Sequence, residues 1–215
     1  MAVVAEPIQQ RLHDEQVLAV IRADSAASAV EAGRALAAGG VRALEVAFTT
    51  PDAPAAIREL AADDELLVGA GTVLSDAHAH AALDAGAAFL VSPSLVPAVL
   101  AVAREAGVLA LPGALTPTEV VAAAELAEVV KLFPASLGGV SYLKALLAPL
   151  PDLRIVPTGG VSASNAREWL AAGAFAVGAG GDLCPAELIA DRRLDELTKR
   201  ARSYRAALGG VEVAR

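Results

Sequence analysis

Short apolar runs recur along the chain at a regular interval. They are VLAVI from Val17, VRALEVAF from Val41, LLVGAG from Leu66, AFLVSP from Ala88, VLALP from Val108, VVKLFP from Val129, RIVPTGG from Arg154 and FAVGAGG from Phe175. Successive starts lie 20–25 residues apart, and each gap holds a segment with helical spacing of its apolar positions. Eight strand-length runs, each followed by a helix of two to four turns, predict βα units and a parallel sheet.

Boundary signals agree with that period. Thr116-Pro117-Thr118-Glu119 places Thr at N-cap, Pro at the first helical position and Glu at the third, a capping box. Ser75-Asp76 and Thr50-Pro51-Asp52 read in the same way. Glycine closes the helices at 38–41, 84–87, 105–108 and 171–174, each time directly before a strand. The expected fold is therefore α/β, a closed (β/α)8 TIM barrel in a single domain of 215 residues. A segment from Glu6 to Glu15 reads as an extra N-terminal helix covering the bottom of the barrel, and Arg192 to Leu208 as a charged closing helix. Periodicity leaves an open doubly wound sheet as the alternative.

Composition narrows the class. Charged residues are 20% and hydrophobic residues 55%, which excludes disorder. Only 3% of residues are aromatic, so elements approach closely over small side chains. The net charge of −8 and the absence of a basic block argue against a nucleic-acid partner. Mean hydropathy is +0.53, but the longest apolar stretch, Leu90 to Ala103, is broken by Pro93 and Pro97, so no membrane span is expected. The N-terminal residues MAVVAEPIQQ lack a secretory pattern, and the single Cys184 permits no internal disulfide. Both features suit the cytoplasm.

In a barrel the chemistry sits at the C-terminal ends of the strands. Alternation in the second run puts Ala43, Glu45, Ala47 and Thr49 on one face and the apolar Leu44, Val46 and Phe48 on the other, which leaves Glu45 inside. The same parity in the sixth run makes Lys131 interior. Only three of the 17 basic residues are lysines, so a lysine between Val129-Val130 and Leu132-Phe133 is conspicuous. Burial disfavours an ammonium, and only a neutral amine attacks a carbonyl, so such a lysine suits Schiff-base chemistry with a nearby carboxylate moving protons. An ion pair that only fixes packing is the competing reading. Glycine-rich turns at Gly69-Ala70-Gly71-Thr72, Thr158-Gly159-Gly160 and Gly178-Ala179-Gly180-Gly181 follow strands. The last two follow the seventh and eighth runs, where barrels commonly hold phosphate. His78 and His80 are two residues apart on a helix and His13 lies apart, so no metal site is expected. Trp169 and Tyr142 read as packing residues, and Cys184 has no activating neighbour.

Seven ordered motifs carry a resemblance over nearly the whole chain: GVRALEV from Gly40, GAGTV from Gly69, Val91-Ser92-Pro93, Leu111-Pro112-Gly113, Thr116-Pro117-Thr118-Glu119, VKLFPA from Val130 and PTGGV from Pro157. The sequence resembles the 2-keto-3-deoxy-6-phosphogluconate (KDPG) aldolases and 4-hydroxy-2-oxoglutarate (KHG) aldolases. That resemblance implies a class I aldolase cleaving a 2-keto-4-hydroxy acid to pyruvate and an aldehyde, with Lys131 as the Schiff-base lysine, Glu45 as general acid/base and no metal or cofactor. It further implies that Gly71, Thr72 and Pro93 hold the keto-acid end, that Phe133 and Thr158 line the pocket, and that Gly159, Gly160, Gly180 and Gly181 cradle phosphate. A homotrimer is implied as well.

Two departures bear on the substrate. Some relatives carry a carboxylate-binding Arg where this chain has Thr49, and Arg22 is the candidate replacement. Gly181-Asp182 stands where many relatives have Ser followed by an uncharged residue. Asp182 then either faces the phosphate site or caps the next helix. The galactonate epimer of KDPG, a sugar-phosphate isomerase or epimerase, and a binding protein without turnover are the alternatives, the last two disfavoured by Lys131 and Glu45.

Overall fold

A computed structural model describes residues 5–209, with side chains from residue 8. The N-terminal reading falls partly on residues 1–4, which lie outside the described residues. The parallel strands are β1 (Val17–Ile21), β2 (Ala43–Ala47), β3 (Leu67–Gly71), β4 (Phe89–Val91), β5 (Leu109–Leu111), β6 (Gly113–Ala114), β7 (Val130–Leu132), β8 (Ile155–Pro157) and β9 (Val177–Ala179). The helices are α1 (Ala5–Glu15), α2 (Ala26–Ala38), α3 (Ala53–Ala61), α4 (Asp76–Asp84), α5 (Pro97–Ala106), α6 (Pro117–Ala124), α7 (Gly139–Leu147), α8 (Ala166–Ala171), α9 (Ala186–Ala190) and α10 (Leu194–Leu208).

Six strands form one parallel sheet in the order β5-β4-β3-β2-β1-β9, and three form another in the order β6-β7-β8. The fifth apolar run holds β5, and a further short strand, β6, follows it directly. Pro112 has no N–H to donate and interrupts the ladder between β5 and β6, although its carbonyl still accepts from the Lys131 amide at 2.9 Å. At the other edge, a parallel bridge between Thr158 and Gly178 and a 2.8 Å bond from the Phe175 amide to the Ile155 carbonyl tie β8 to β9.

Side-chain alternation divides the apolar residues into two clusters. Leu18, Ala43, Leu67, Phe89, Val91, Leu109, Leu111, Val129, Val156 and Ala176 pack together on one face of the strands. Val17, Ala19, Leu44, Val46, Ala70, Leu90, Val130 and Ile155 meet the helices on the other. Leu12 of α1 is fully buried in the first cluster, with Ile8 and Phe175 against it, so the extra helix plugs the end where strands begin. The closing helix starts at Leu194, two residues later than expected, and buries Leu197, Ala201, Tyr204 and Leu208. Trp169 is buried, and the Tyr142 hydroxyl donates to the Leu115 carbonyl at 2.7 Å, so both serve packing.

Most of the expected caps form. Ser75 Oγ accepts from the His78 amide. The capping box at Thr116 is complete: Glu119 accepts from the Thr116 and Leu115 amides at 2.8 and 3.0 Å. Those backbone bonds, Thr116 first, hold the Glu119 carboxyl below its ordinary range. The Thr50 cap does not form. Asp52 occupies the N-cap of α3 with φ 51 and no side-chain bond, while Thr50 Oγ1 accepts from the Ala23 amide after β1 at 3.1 Å. A better partner across the sheet outcompetes the local one. Among the described residues, no helix is long and apolar enough to cross a membrane.

Replacing Thr116 with Ala removes one half of the box at an exposed helix start. We expect a loss of about 1 kcal/mol of unfolding free energy, read from the midpoint of urea denaturation at unchanged slope.

Candidate active site

Glu45 lies on β2 and Lys131 on β7, and both face the inner cluster, as alternation predicted. They are almost completely buried, at 1% and 4% exposure. Lys131 Nζ stands 3.4 Å from Glu45 Oε1 and 3.5 Å from Oε2. The Phe133 ring covers the amine, with its centroid 5.6 Å from Nζ. These separations exceed the roughly 2.7–2.9 Å of a tight charge-assisted bond. Nζ is held near the carboxylate without being locked to it.

Glycines make room for this pair. A Cβ on Gly71 would lie 2.1 Å from Glu45 Oε1, so the carboxylate occupies the space a side chain there would take. Gly113, the register partner of Lys131, lies against the Pro93 backbone, and a Cβ there would come within 2.2 Å of it. The Thr158 hydroxyl likewise fills the place of a side chain on Gly178. Of these glycines, Gly71 lies directly against the pair, while Pro93 and Thr158 are packed against Gly113 and Gly178. Thr72, half-buried beside Gly71, has φ 56, a left-handed conformation unfavourable for a β-branched residue. Thr49 is exposed at the end of β2.

A cavity of about 340 Å³ is linked to the pair through Phe133, and neither Lys131 nor Glu45 lines it. Arg22, Phe133, Thr158 and the glycines at 159, 160, 180 and 181 line it. Gly159 and Gly160 have φ 91 and 79, a turn that L side chains resist. Arg22 Nη1 would lie 3.4 Å from a Cβ on Gly180, so its guanidinium covers the glycine turn after β9. β1 pairs with β9, and this sheet order carries Arg22 to the glycine turns.

Asp182 lines the same cavity and does not cap the helix that follows. Its Oδ1 accepts from the Ala163 amide at 3.1 Å and the Tyr204 hydroxyl at 2.8 Å, and Pro185, not Asp182, is the N-cap of α9. Sequence reasoning missed Tyr204, since nothing local marks a residue whose partner lies 22 positions away. Burial pushes the Cys184 thiol up to about 12, so it is no nucleophile at neutral pH. His78 stacks on Phe48 with centroids 4.7 Å apart, and His13 meets Phe175 in a tilted contact at 4.9 Å. Among the described residues no three His, Cys, Asp or Glu side chains gather as metal ligands. A wider opening of about 700 Å³ lies at the N-terminal ends of β8 and β9, between α1 and Arg154, and Arg154 is engaged with Gln9 and Glu128.

A buried lysine paired with a carboxylate, beside a cavity lined by glycine turns and one guanidinium, suits imine chemistry on an anionic carbonyl compound. Residues 8–200 match the family model described as KDPG and KHG aldolase. The chain belongs to that aldolase family. It is 39% identical over 196 residues to the 2-dehydro-3-deoxy-phosphogluconate aldolase of Treponema pallidum (strain Nichols), a match covering 89% of this chain and 92% of that one. It is 38% identical over 189 residues to the KHG/KDPG aldolase of Escherichia coli (strain K12), covering 86% and 89%. The KDPG aldolase of Legionella pneumophila superposes with a TM-score of 0.84 at 29% identity, over 92% of this chain and 97% of that one. That crystal structure holds pyruvate captured at low pH as a covalent carbinolamine intermediate. The protein is an enzyme, an aldolase of the lyase class.

Because the aldolase pair is buried, removing one partner strands the other. Glu45→Leu should cost about 3–5 kcal/mol of stability, whereas Glu45→Leu with Lys131→Met should recover most of it. Denaturant titration of both variants checks this; equal losses would show that the two charges are not coupled.

Proposed function

We propose that this aldolase cleaves KDPG to pyruvate and D-glyceraldehyde 3-phosphate through an imine on Lys131. The observation that carries the reading is the buried Lys131–Glu45 pair at 3.4 Å, capped by Phe133, which also lines the glycine-turn cavity. The Lys131 ammonium passes a proton to Glu45, neutral Nζ adds to the C2 carbonyl, and Glu45 returns that proton to the carbinolamine hydroxyl, which leaves as water to give an iminium. Glu45, directly or through a water, takes the C4 hydroxyl proton. The C3–C4 electron pair passes to the iminium, releasing the aldehyde and leaving an enamine. Glu45 returns the proton to C3, and water added at C2 frees pyruvate and the lysine. The same steps on KHG give pyruvate and glyoxylate. No cofactor enters this scheme.

In this reading the Gly71 backbone, Thr72, Thr49 and Pro93 hold the keto-acid end, and Phe133 and Thr158 line the middle. Gly159, Gly160, Gly180, Gly181 and Arg22 take the phosphate, which moves Arg22 from the carboxylate to the phosphate end. The reading includes one closed (β/α)8 barrel domain, supported by the Thr158–Gly178 bridge at one sheet edge and chain continuity through Pro112 at the other. It also includes a homotrimer, supported by the exposed Leu74, Val121, Leu126 and Leu137, and a cytoplasmic location, which suits the single reduced thiol of Cys184.

Incubation with pyruvate and borohydride, followed by intact-mass measurement and peptide mapping, tests the imine. We expect one reduced adduct on Lys131 that is absent in Lys131→Ala. A folded protein that forms no adduct overturns the reading. For recognition, Arg22→Ala should raise KM for KDPG by about tenfold or more, the worth of one hydrogen bond to a charged group, and change KM for KHG little. Parallel steady-state kinetics on the two substrates distinguish this from an Arg22 that binds the carboxylate, which would raise both.

A further inference from the structure

Asp182 lines the glycine-turn cavity, where a carboxylate would repel an anion. Its bonds turn that charge to another use. Tyr204 of α10 is fully buried, and its hydroxyl faces Asp182 Oδ1 at 2.8 Å and the Val161 carbonyl at 3.2 Å. Burial foremost, then the bond to Asp182, keep this phenol protonated well above its ordinary range, so it remains a donor. Arg200, one turn earlier, donates from Nη1 to the Asp182 carbonyl at 2.6 Å and stands 4.0 Å from Oδ2. The Ala163 amide donates to Oδ1 from the other loop. One face of α10 therefore reaches both loops around the cavity, after β8 at Val161 and after β9 at Asp182. Within the first loop, Asn165 donates to the Gly160 carbonyl at 2.9 Å and accepts from the Ser162 amide at 2.8 Å.

Gly159, Gly160, Gly180 and Gly181 have no side chains to hold their loops in register, and unconstrained glycine pays the largest ordering entropy of any residue. A ligand would have to meet that cost on binding unless the protein has already met it. We propose that Asp182, Tyr204 and Arg200 form a clamp that fixes the two glycine loops at the spacing that takes a terminal phosphate monoester, and so sets preference for phosphorylated over unphosphorylated keto acids. The three are positioning residues acting through the loop backbone. The substrate preference rests on the aldolase reading above; the loop clamp rests on the contacts alone.

The test compares Tyr204→Phe and the milder Asp182→Asn with the unaltered enzyme in three measurements. These are binding of inorganic phosphate by calorimetry, kcat and KM for KDPG and KHG in parallel, and borohydride trapping of pyruvate. We expect phosphate affinity to fall about tenfold in Tyr204→Phe, the scale of one charge-assisted bond. KM for KDPG should rise by the same factor at unchanged kcat, with KM for KHG and pyruvate trapping unaltered. Unchanged phosphate affinity in both variants, or equal losses on the two substrates, would overturn the clamp, the latter marking a role in stability alone. If the unaltered protein traps no pyruvate while the variants still lose phosphate affinity, the aldolase reading fails and the clamp stands.

Discussion

An ammonium and a carboxylate removed from water each lose several kcal/mol of hydration, and their mutual attraction repays this only while both are present and close. Lys131 and Glu45 meet that condition at 3.4 Å although 86 positions separate them in the chain. Much of the architecture serves to keep them there. The parity of β2 and β7 turns both side chains to the inner face, and the inner apolar residues, with Leu12 from α1, close the face toward the strand starts. Parallel sheets supply such a setting because their strands are covered on both sides.

Small residues shape the space around the pair. The chain has few aromatics, and at Gly71, Gly113 and Gly178 the volume of an absent side chain is taken by a carboxylate, a neighbouring backbone and a hydroxyl. Polar side chains and backbone occupy what would otherwise be packing volume. The outer face is conventional, an alanine- and valine-rich layer against helices. Thr72, beside the pair's neighbour Gly71, is held in a left-handed conformation, as are Gln16, Asp52 and Arg192 elsewhere in the chain.

The features legible in the sequence are those set by local period. Alternation alone put Glu45 and Lys131 inside, and the Thr116 box and the glycine helix ends follow from backbone groups a few residues apart. Features that depend on distant partners were not legible. Thr50 looks like a cap until the Ala23 amide is beside it, and Pro112 looks like part of one strand until its missing donor splits the ladder. Arg22 lies beside the glycine turns because β1 adjoins β9, a fact of sheet order. Asp182 offered two sequence-based readings, and its actual partners, Ala163 and Tyr204, belong to two other segments.

The contact between Gly71 and Glu45 also constrains how this protein can change by descent. With Glu at 45, any side chain at 71 would require the carboxylate to move, so position 71 is closed to variation that keeps the carboxylate where it is. Should residue 45 first be shortened, position 71 becomes free to accept a side chain. Once it does, restoring Glu45 alone re-creates the collision. Loss of the carboxylate is one step, and its recovery is at least two taken in a fixed order. The interior glycine therefore acts as a ratchet on the ancestry of the site.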